Sequence, residues 1–202
     1  MTKVDLKREW NHLYGTRGLD PVRVEVPAFT YLMVDGAGDP NRVPEYAEAV
    51  EALFSLSYAV KFSLKKGPRA LDYAVMPLEG LWWSEDAEAF ILGRRDDWRW
   101  TAMVLQPPFV ARETLETVRV EVAQKKLLPG LARLRIETFE EGPCAQVLHV
   151  GPFSEEGPAI ARLHRFIEGI GSLRGKHHEI YLSDIRRGDP SQWRTILRQP
   201  FT

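Results

Sequence analysis

The segment His178-Glu-Ile-Tyr-Leu182 sets a carboxylate and a phenol two residues apart in a run of strand-forming residues. Strand side chains alternate, so Glu179 and Tyr181 share one face and Ile180 and Leu182 the other. With the Ile180 and Leu182 face packed under helices, Glu179 and Tyr181 are expected to face a groove. A carboxylate beside aromatic walls attracts cationic or planar ligands. A carboxylate taken out of water holds its proton more tightly and becomes a general acid or base usable near neutral pH. The plainer reading of Glu179 is a solvated strand residue. Glu79, in Pro77-Leu-Glu-Gly80, is the matching carboxylate earlier in the chain, and Gly80 permits close backbone approach or a sharp turn. Its plainer reading is a turn residue at a strand end. Two such carboxylates can divide acid and base roles between them.

Aromatic residues supply candidate walls. Four of the six tryptophans, Trp82, Trp83, Trp98 and Trp100, fall in one short stretch. With Met103 and Pro77 they are candidates for a pocket that takes flat aromatic ligands. Trp82 and Trp83 are adjacent, so in extended chain only one of them faces the pocket. Phe54, Tyr58 and Phe62 lie along a helix and are candidates to reach the same space, although core packing is the simpler reading for them.

Other chemistries lack their residues. The histidines show no His-x-x-x-His spacing and the single cysteine, Cys144, no Cys-x-x-Cys, so no zinc site is expected. Cys144 reads as a core residue. No nucleophile elbow, phosphate loop or dinucleotide fingerprint is present, and no cofactor is expected. The pairs Lys65-Lys66, Lys125-Lys126 and Arg186-Arg187 read as solvated surface.

The elements that must position these residues follow from periodicity and breakers. Val4–Tyr14 reads as a short amphipathic helix, Val22–Val26 and Phe29–Val34 as strands, and Pro44–Leu64 as a long helix opened by proline. Leu71–Leu78 reads as a strand, Ser84–Arg95 as an excursion or short helix, and Trp98–Leu105 as a strand. A connecting helix over about 111–128 ends at Pro129-Gly130. Strands at Arg133–Phe139 and Cys144–Val150, a helix at Pro158–Ile170, and strands at His178–Leu182 and Trp193–Arg198 complete the chain.

Each half therefore reads strand, strand, helix, strand, strand. Trp100 to Gln106-Pro107 and Trp193 to Gln199-Pro200 share their Trp, Gln and Pro at the same internal spacing, about 90 residues apart. The expectation is one α+β domain of two similar halves, about 20–110 and 131–202, related by a pseudo-two-fold axis with a ligand groove between them. Its 202 residues and 44% hydrophobic content suffice for a packed core. A net charge of −1 gives no pull toward nucleic acid or an anionic membrane, so neither is an expected partner. The lone cysteine, and an N-terminus without an apolar signal core, point to the cytoplasm.

Four strings carry a resemblance. Tyr31-Leu-Met-Val-Asp-Gly-Ala-Gly-Asp-Pro40, Val75-Met-Pro-Leu-Glu-Gly-Leu-Trp-Trp83, Trp98-Arg-Trp100 through Gln106-Pro107, and His177-His-Glu-Ile-Tyr-Leu-Ser-Asp184 resemble stand-alone GyrI-like, or AraC-effector-binding-like, domains over roughly residues 20–202. The resemblance implies tandem SHS2-like β-β-α-β-β units enclosing an aromatic-lined cavity for hydrophobic, drug-like small molecules. About 20 residues fall outside it, so no helix-turn-helix domain is expected. One stand-alone branch, the cyclopropanoid hydrolases, opens the strained ring of DNA-alkylating natural products. For such a ring opening the placement of Glu179 and Tyr181 suggests water addition, with one glutamate orienting or deprotonating the water. Tyr181 or a protonated carboxyl would then assist the developing oxyanion. The competing readings are a sequestering or sensing protein without turnover, and a gyrase-interacting protein.

Overall fold

A computed structural model describes residues 2–15, 18–68, 70–86, 94–184 and 188–202. Residues 87–93 of the expected excursion and the pair Arg186-Arg187 lie outside the described residues. The strands are β1 (Thr2–Val4), β2 (Val22–Val26), β3 (Phe29–Ala37), β4 (Leu71–Tyr73), β5 (Leu78–Trp83), β6 (Arg99–Leu105), β7 (Arg135–Phe139), β8 (Gly142–Val150), β9 (His177–Tyr181) and β10 (Arg194–Pro200). The helices are α1 (Leu6–Glu9), α2 (Asn11–Tyr14), α3 (Pro44–Lys66), α4 (Arg112–Lys125), α5 (Pro129–Arg133) and α6 (Gly157–Glu168).

Three local expectations change. The segment expected as one helix over Val4–Tyr14 is a short strand and two four-residue helices broken at Trp10. The expected strand Leu71–Leu78 is interrupted at residues 74–77. Pro77 cannot donate to a ladder, and β5 instead begins at Leu78 and carries both Trp82 and Trp83. Pro129-Gly130 does not merely end the preceding helix, because Pro129 opens α5 at its first position.

Eight strands form one antiparallel sheet in the order β2-β8-β10-β9-β5-β6-β3-β7, and β1 pairs with β4 in a small parallel sheet. The order is mirrored. With β2, β3, β5 and β6 set against β7, β8, β9 and β10, it reads the same from both ends. The halves are also interleaved: β2 pairs with β8, and β7 with β3. Neither half closes its own sheet.

The β5–β9 pair joins the halves at the centre. Its register sets Glu79 opposite Ile180, Gly80 opposite Glu179 and Trp82 opposite His177. Leu78, Gly80 and Trp82 therefore share one face with Glu179 and Tyr181. Glu79 shares the other with His178 and Ile180.

Helices pack on the Glu179 face. Tyr46 of α3 meets Trp100 and Trp82 with ring centroids 5.0 and 5.8 Å apart. Ala49, Ala52, Leu53, Leu56 and Val60 bury the inner side of α3. The close fit at Trp100 depends on its cross-strand partner Gly36, where a Cβ would lie 2.1 Å from the indole. At the other end of the sheet Leu163 and Ile167 of α6 pack on Val147 and Leu197. The opposite face is closed by the N-terminal segment, including Leu13 and Tyr14. This reverses the expected arrangement, in which the Ile180 face lay under the helices.

Candidate functional site

A cavity of about 1540 Å³ opens between α3, the β5–β9 floor and the segment that leads into α6. Phe54, Tyr58, Phe62, Pro77, Trp82, Trp98, Glu179 and Tyr181 all line it. The 3.6-residue period explains the α3 contribution, since Phe54, Tyr58 and Phe62 are each four apart. Their rings follow one another at 6.3 and 6.4 Å, and Tyr58 and Phe62 stay about half exposed at the rim. Trp82 and Trp98 meet edge to face at 5.8 Å, and the Arg95 guanidinium lies over Trp98.

The polar floor is a short chain of hydrogen bonds. The Trp82 indole N–H donates to the Tyr181 hydroxyl at 3.0 Å. Tyr181 donates to Glu179 Oε2 at 2.7 Å, and His177 Nε2 lies 3.6 Å from Glu179 Oε1. Burial, and then the Glu179 charge, raise the Tyr181 pKa well above its ordinary value, so the phenol keeps its proton. Gly80 makes this crossing possible. A Cβ there would lie 2.7 Å from Trp82 Nε1 and 3.1 Å from the Tyr181 oxygen.

Four candidates lie elsewhere. Glu79, Trp83 and Met103 point to the opposite face, because β5 alternates and Met103 pairs with Glu79. Trp83 carries Lys176 Nζ 3.4 Å from its ring centroid. Trp100 is on the helix-bearing face but fully buried behind Tyr46.

Glu79 belongs to a buried network instead. Tyr14 donates to its Oε1 at 2.8 Å, and His178 Nε2 lies 3.0 Å from its Oε2. His178 Nδ1 lies 2.9 Å from Glu141 Oε2, which also accepts from Arg198 Nη1 at 3.3 Å. Arg198 further donates to Gln146 Oε1 and to the Leu13 carbonyl, each at 3.0 Å. Two carboxylates thus alternate with two cations beneath β9. Burial disfavours the His178 charge, but Glu141 and Glu79 outweigh it and raise its pKa to about 9. Burial likewise opposes the Glu141 charge, and His178 and Arg198 prevail to lower its pKa to about 2. The network clamps the N-terminal segment to the sheet and braces β9 from behind.

The sequence does not mark Tyr46 of α3 or Glu156 as site residues, yet Tyr46 lines the cavity. Glu156 lines the cavity and is 5% exposed. Burial, and then the Glu179 charge, push its pKa up to about 9. One signal was available: Glu156 holds the cap position before the helix opened by Gly157-Pro158, where Ser, Thr, Asp or Asn is usual. Among the described residues, no group of three or more His, Cys, Asp or Glu side chains is arranged to hold a metal. No helix among them is long and apolar enough to cross a membrane.

The profile of the GyrI-like small molecule binding domain matches residues 20–200. The chain belongs to the GyrI-like family. Three solved structures from Listeria innocua are similar to this GyrI-like chain over almost its whole length. An uncharacterized conserved protein is 41% identical, with 98% of this chain and 100% of that one covered and a TM-score of 0.88. A protein described as a hydrolase is 42% identical, with both chains covered in full and a TM-score of 0.86. Another hydrolase is 38% identical, with 98% of this chain and 100% of that one covered and a TM-score of 0.83. Among curated proteins none matches the chain. As a GyrI-like domain the protein binds small molecules, and the large aromatic cavity is its candidate binding site.

Proposed function

We propose that this GyrI-like domain takes up a hydrophobic, aromatic small molecule in the cytoplasm and hydrolyses a strained cyclopropanoid electrophile, a detoxification reaction. The observation that carries the reading is Glu179, a carboxylate held by Tyr181 at 2.7 Å in the wall of an aromatic cavity. Hydrolase descriptions of relatives 38% and 42% identical support it. Glu179 holds a water and takes one of its protons. The water oxygen bonds to a ring carbon, the ring C–C bond breaks, and its electron pair moves to the conjugated acceptor oxygen. Tyr181 already donates its hydrogen bond to Glu179, so its role is to orient that carboxylate rather than to meet the oxyanion. Trp82, Trp98 and Phe54 hold the flat ligand and exclude competing water.

Product analysis after incubation with a cyclopropane-bearing alkylator tests this. Ring-opened alcohol is expected from the unaltered protein, and Glu179→Gln is expected to lose at least about 100-fold in turnover. Recovery of unchanged ligand, still bound, would leave only the binding function.

The mirrored strand order and the shared Trp…Gln-Pro spacing support a further part of this reading. We take the chain as one domain formed by duplication of a β-β-α-β-β unit. The interleaved strands imply that residues 20–110 expressed alone will not fold.

A further inference from the structure

Glu156 is placed where a structural role would use it differently. It is the N-cap residue of α6, yet its side chain makes no capping hydrogen bond to the helix. A capping carboxylate would gain from the helix dipole, but Pro158 offers no N–H and the Ala159 N–H already donates to the Glu156 carbonyl. The carboxyl instead lines the cavity, with Oε1 buried and without a partner. A buried, unpartnered carboxyl oxygen is costly unless something meets it.

We propose that Glu156 is the acid of the ring-opening step, the group that protonates the oxygen on which negative charge develops. This rests on the hydrolytic reading above. Glu179 and Tyr181 line the same space, and Tyr181 has committed its hydrogen bond to Glu179. The site therefore has a base and an orienting phenol, and the oxyanion needs a donor. Charged and titratable groups around Glu156 are Glu179 and Tyr181 from β9, Arg95 across the cavity and Tyr46 on α3, while Thr195 of β10 hydrogen-bonds the carboxyl. Glu179 favours a neutral Glu156, whereas Arg95 and Thr195 oppose it, and burial tips the balance to the neutral form.

The step balances. A water proton passes to Glu179, the water oxygen bonds to the ring carbon, and the ring C–C bond breaks. The Glu156 proton then passes to the acceptor oxygen, giving a neutral alcohol and a neutral enol at the former acceptor. The proton on Glu179 returns through solvent to Glu156, which restores the starting state. Two neighbouring carboxylates whose environments separate their protonation states can divide the roles in this way.

The test compares kcat across pH for the unaltered protein and Glu156→Gln with a cyclopropanoid alkylator. Affinity for a non-reacting planar aromatic is read in parallel from tryptophan quenching. The expected result is a fall in kcat of roughly 100- to 10,000-fold, unchanged affinity, and loss of the alkaline limb near pH 9 seen in the unaltered protein. His178 also titrates near pH 9 and weakens the fold there, so kcat is compared only where circular dichroism shows both proteins fully folded. An alkaline limb that persists in Glu156→Gln, or an unchanged kcat, would overturn the assignment while leaving the hydrolase reading intact. Absence of turnover by the unaltered protein would overturn both. Infrared difference spectra supply a readout independent of turnover: a protonated-carboxyl band at neutral pH must disappear in the variant.

Discussion

The Tyr181 hydroxyl and the Glu179 carboxylate, two residues apart on β9, are joined by a 2.7 Å hydrogen bond. The Trp82 indole N–H also donates to the Tyr181 oxygen from β5. The pair is thus held from within its own strand and from the next.

Tyr181→Phe removes the donor to Glu179 and the acceptor for Trp82. Misplacing a reacting group by about 1 Å costs on the order of 100-fold in rate, and roughly 10- to 100-fold where the loosening is smaller. We expect a fall within that range in cyclopropanoid turnover, with little change in the affinity for a non-reacting planar aromatic. Steady-state kinetics beside tryptophan quenching checks both.

Gly80→Ala introduces a Cβ 2.7 Å from Trp82 Nε1, so the indole must shift. Overpacking of this kind costs about 1–3 kcal/mol. Urea denaturation is expected to show that loss, and the tryptophan emission maximum to move as the Trp82–Tyr181 bond breaks.

Glu79→Gln separates the two faces of the sheet. The carboxylate is fully buried and meets His178 and Tyr14 on the face of β5 turned away from the cavity. Removing one partner of a buried charge pair costs about 3–5 kcal/mol. The variant is expected to melt earlier, while below its Tm its ligand affinity matches the unaltered protein. A selective loss of affinity at full foldedness would show that Glu79 acts at the site.

The buried network also sets a pH window. The His178 pKa rises from 6.5 to about 9 on folding, so its contribution is fully present below pH 6.5 and is lost as pH climbs through 9. The Glu141 pKa falls from 4.5 to about 2, so its contribution is present above pH 4.5 and is lost as pH drops toward 2. Urea midpoints measured across pH are expected to plateau between pH 4.5 and 6.5 and to fall on both sides. Glu141→Gln is expected to remove the Glu141 part of the acid limb.

Much of the architecture was legible in the chain. Alternation along residues 177–181, the proline-opened α3 and the apolar run of β6 are local patterns, and local sterics decide them. Less legible was the N-terminal segment, whose short helices are held by long-range bonds from Arg198 and Gln146 to backbone carbonyls near α2. Nothing within fifteen residues of Leu13 reports those partners.

By itself the sequence determined that Glu179 and Tyr181 share a face, because side chains on a strand repeat every second residue. Which face that is, and which carboxylate accompanies them, only the tertiary structure decided. The β5–β9 register sets Glu79 beside Ile180 and so turns it away from Glu179, since adjacent cross-strand residues on one face exclude the next pair. The same assembly brings Glu156, 23 positions earlier in the chain, into the cavity with Glu179. Pairing between distant strands is fixed by burial summed over the whole sheet, and no local pattern records that sum.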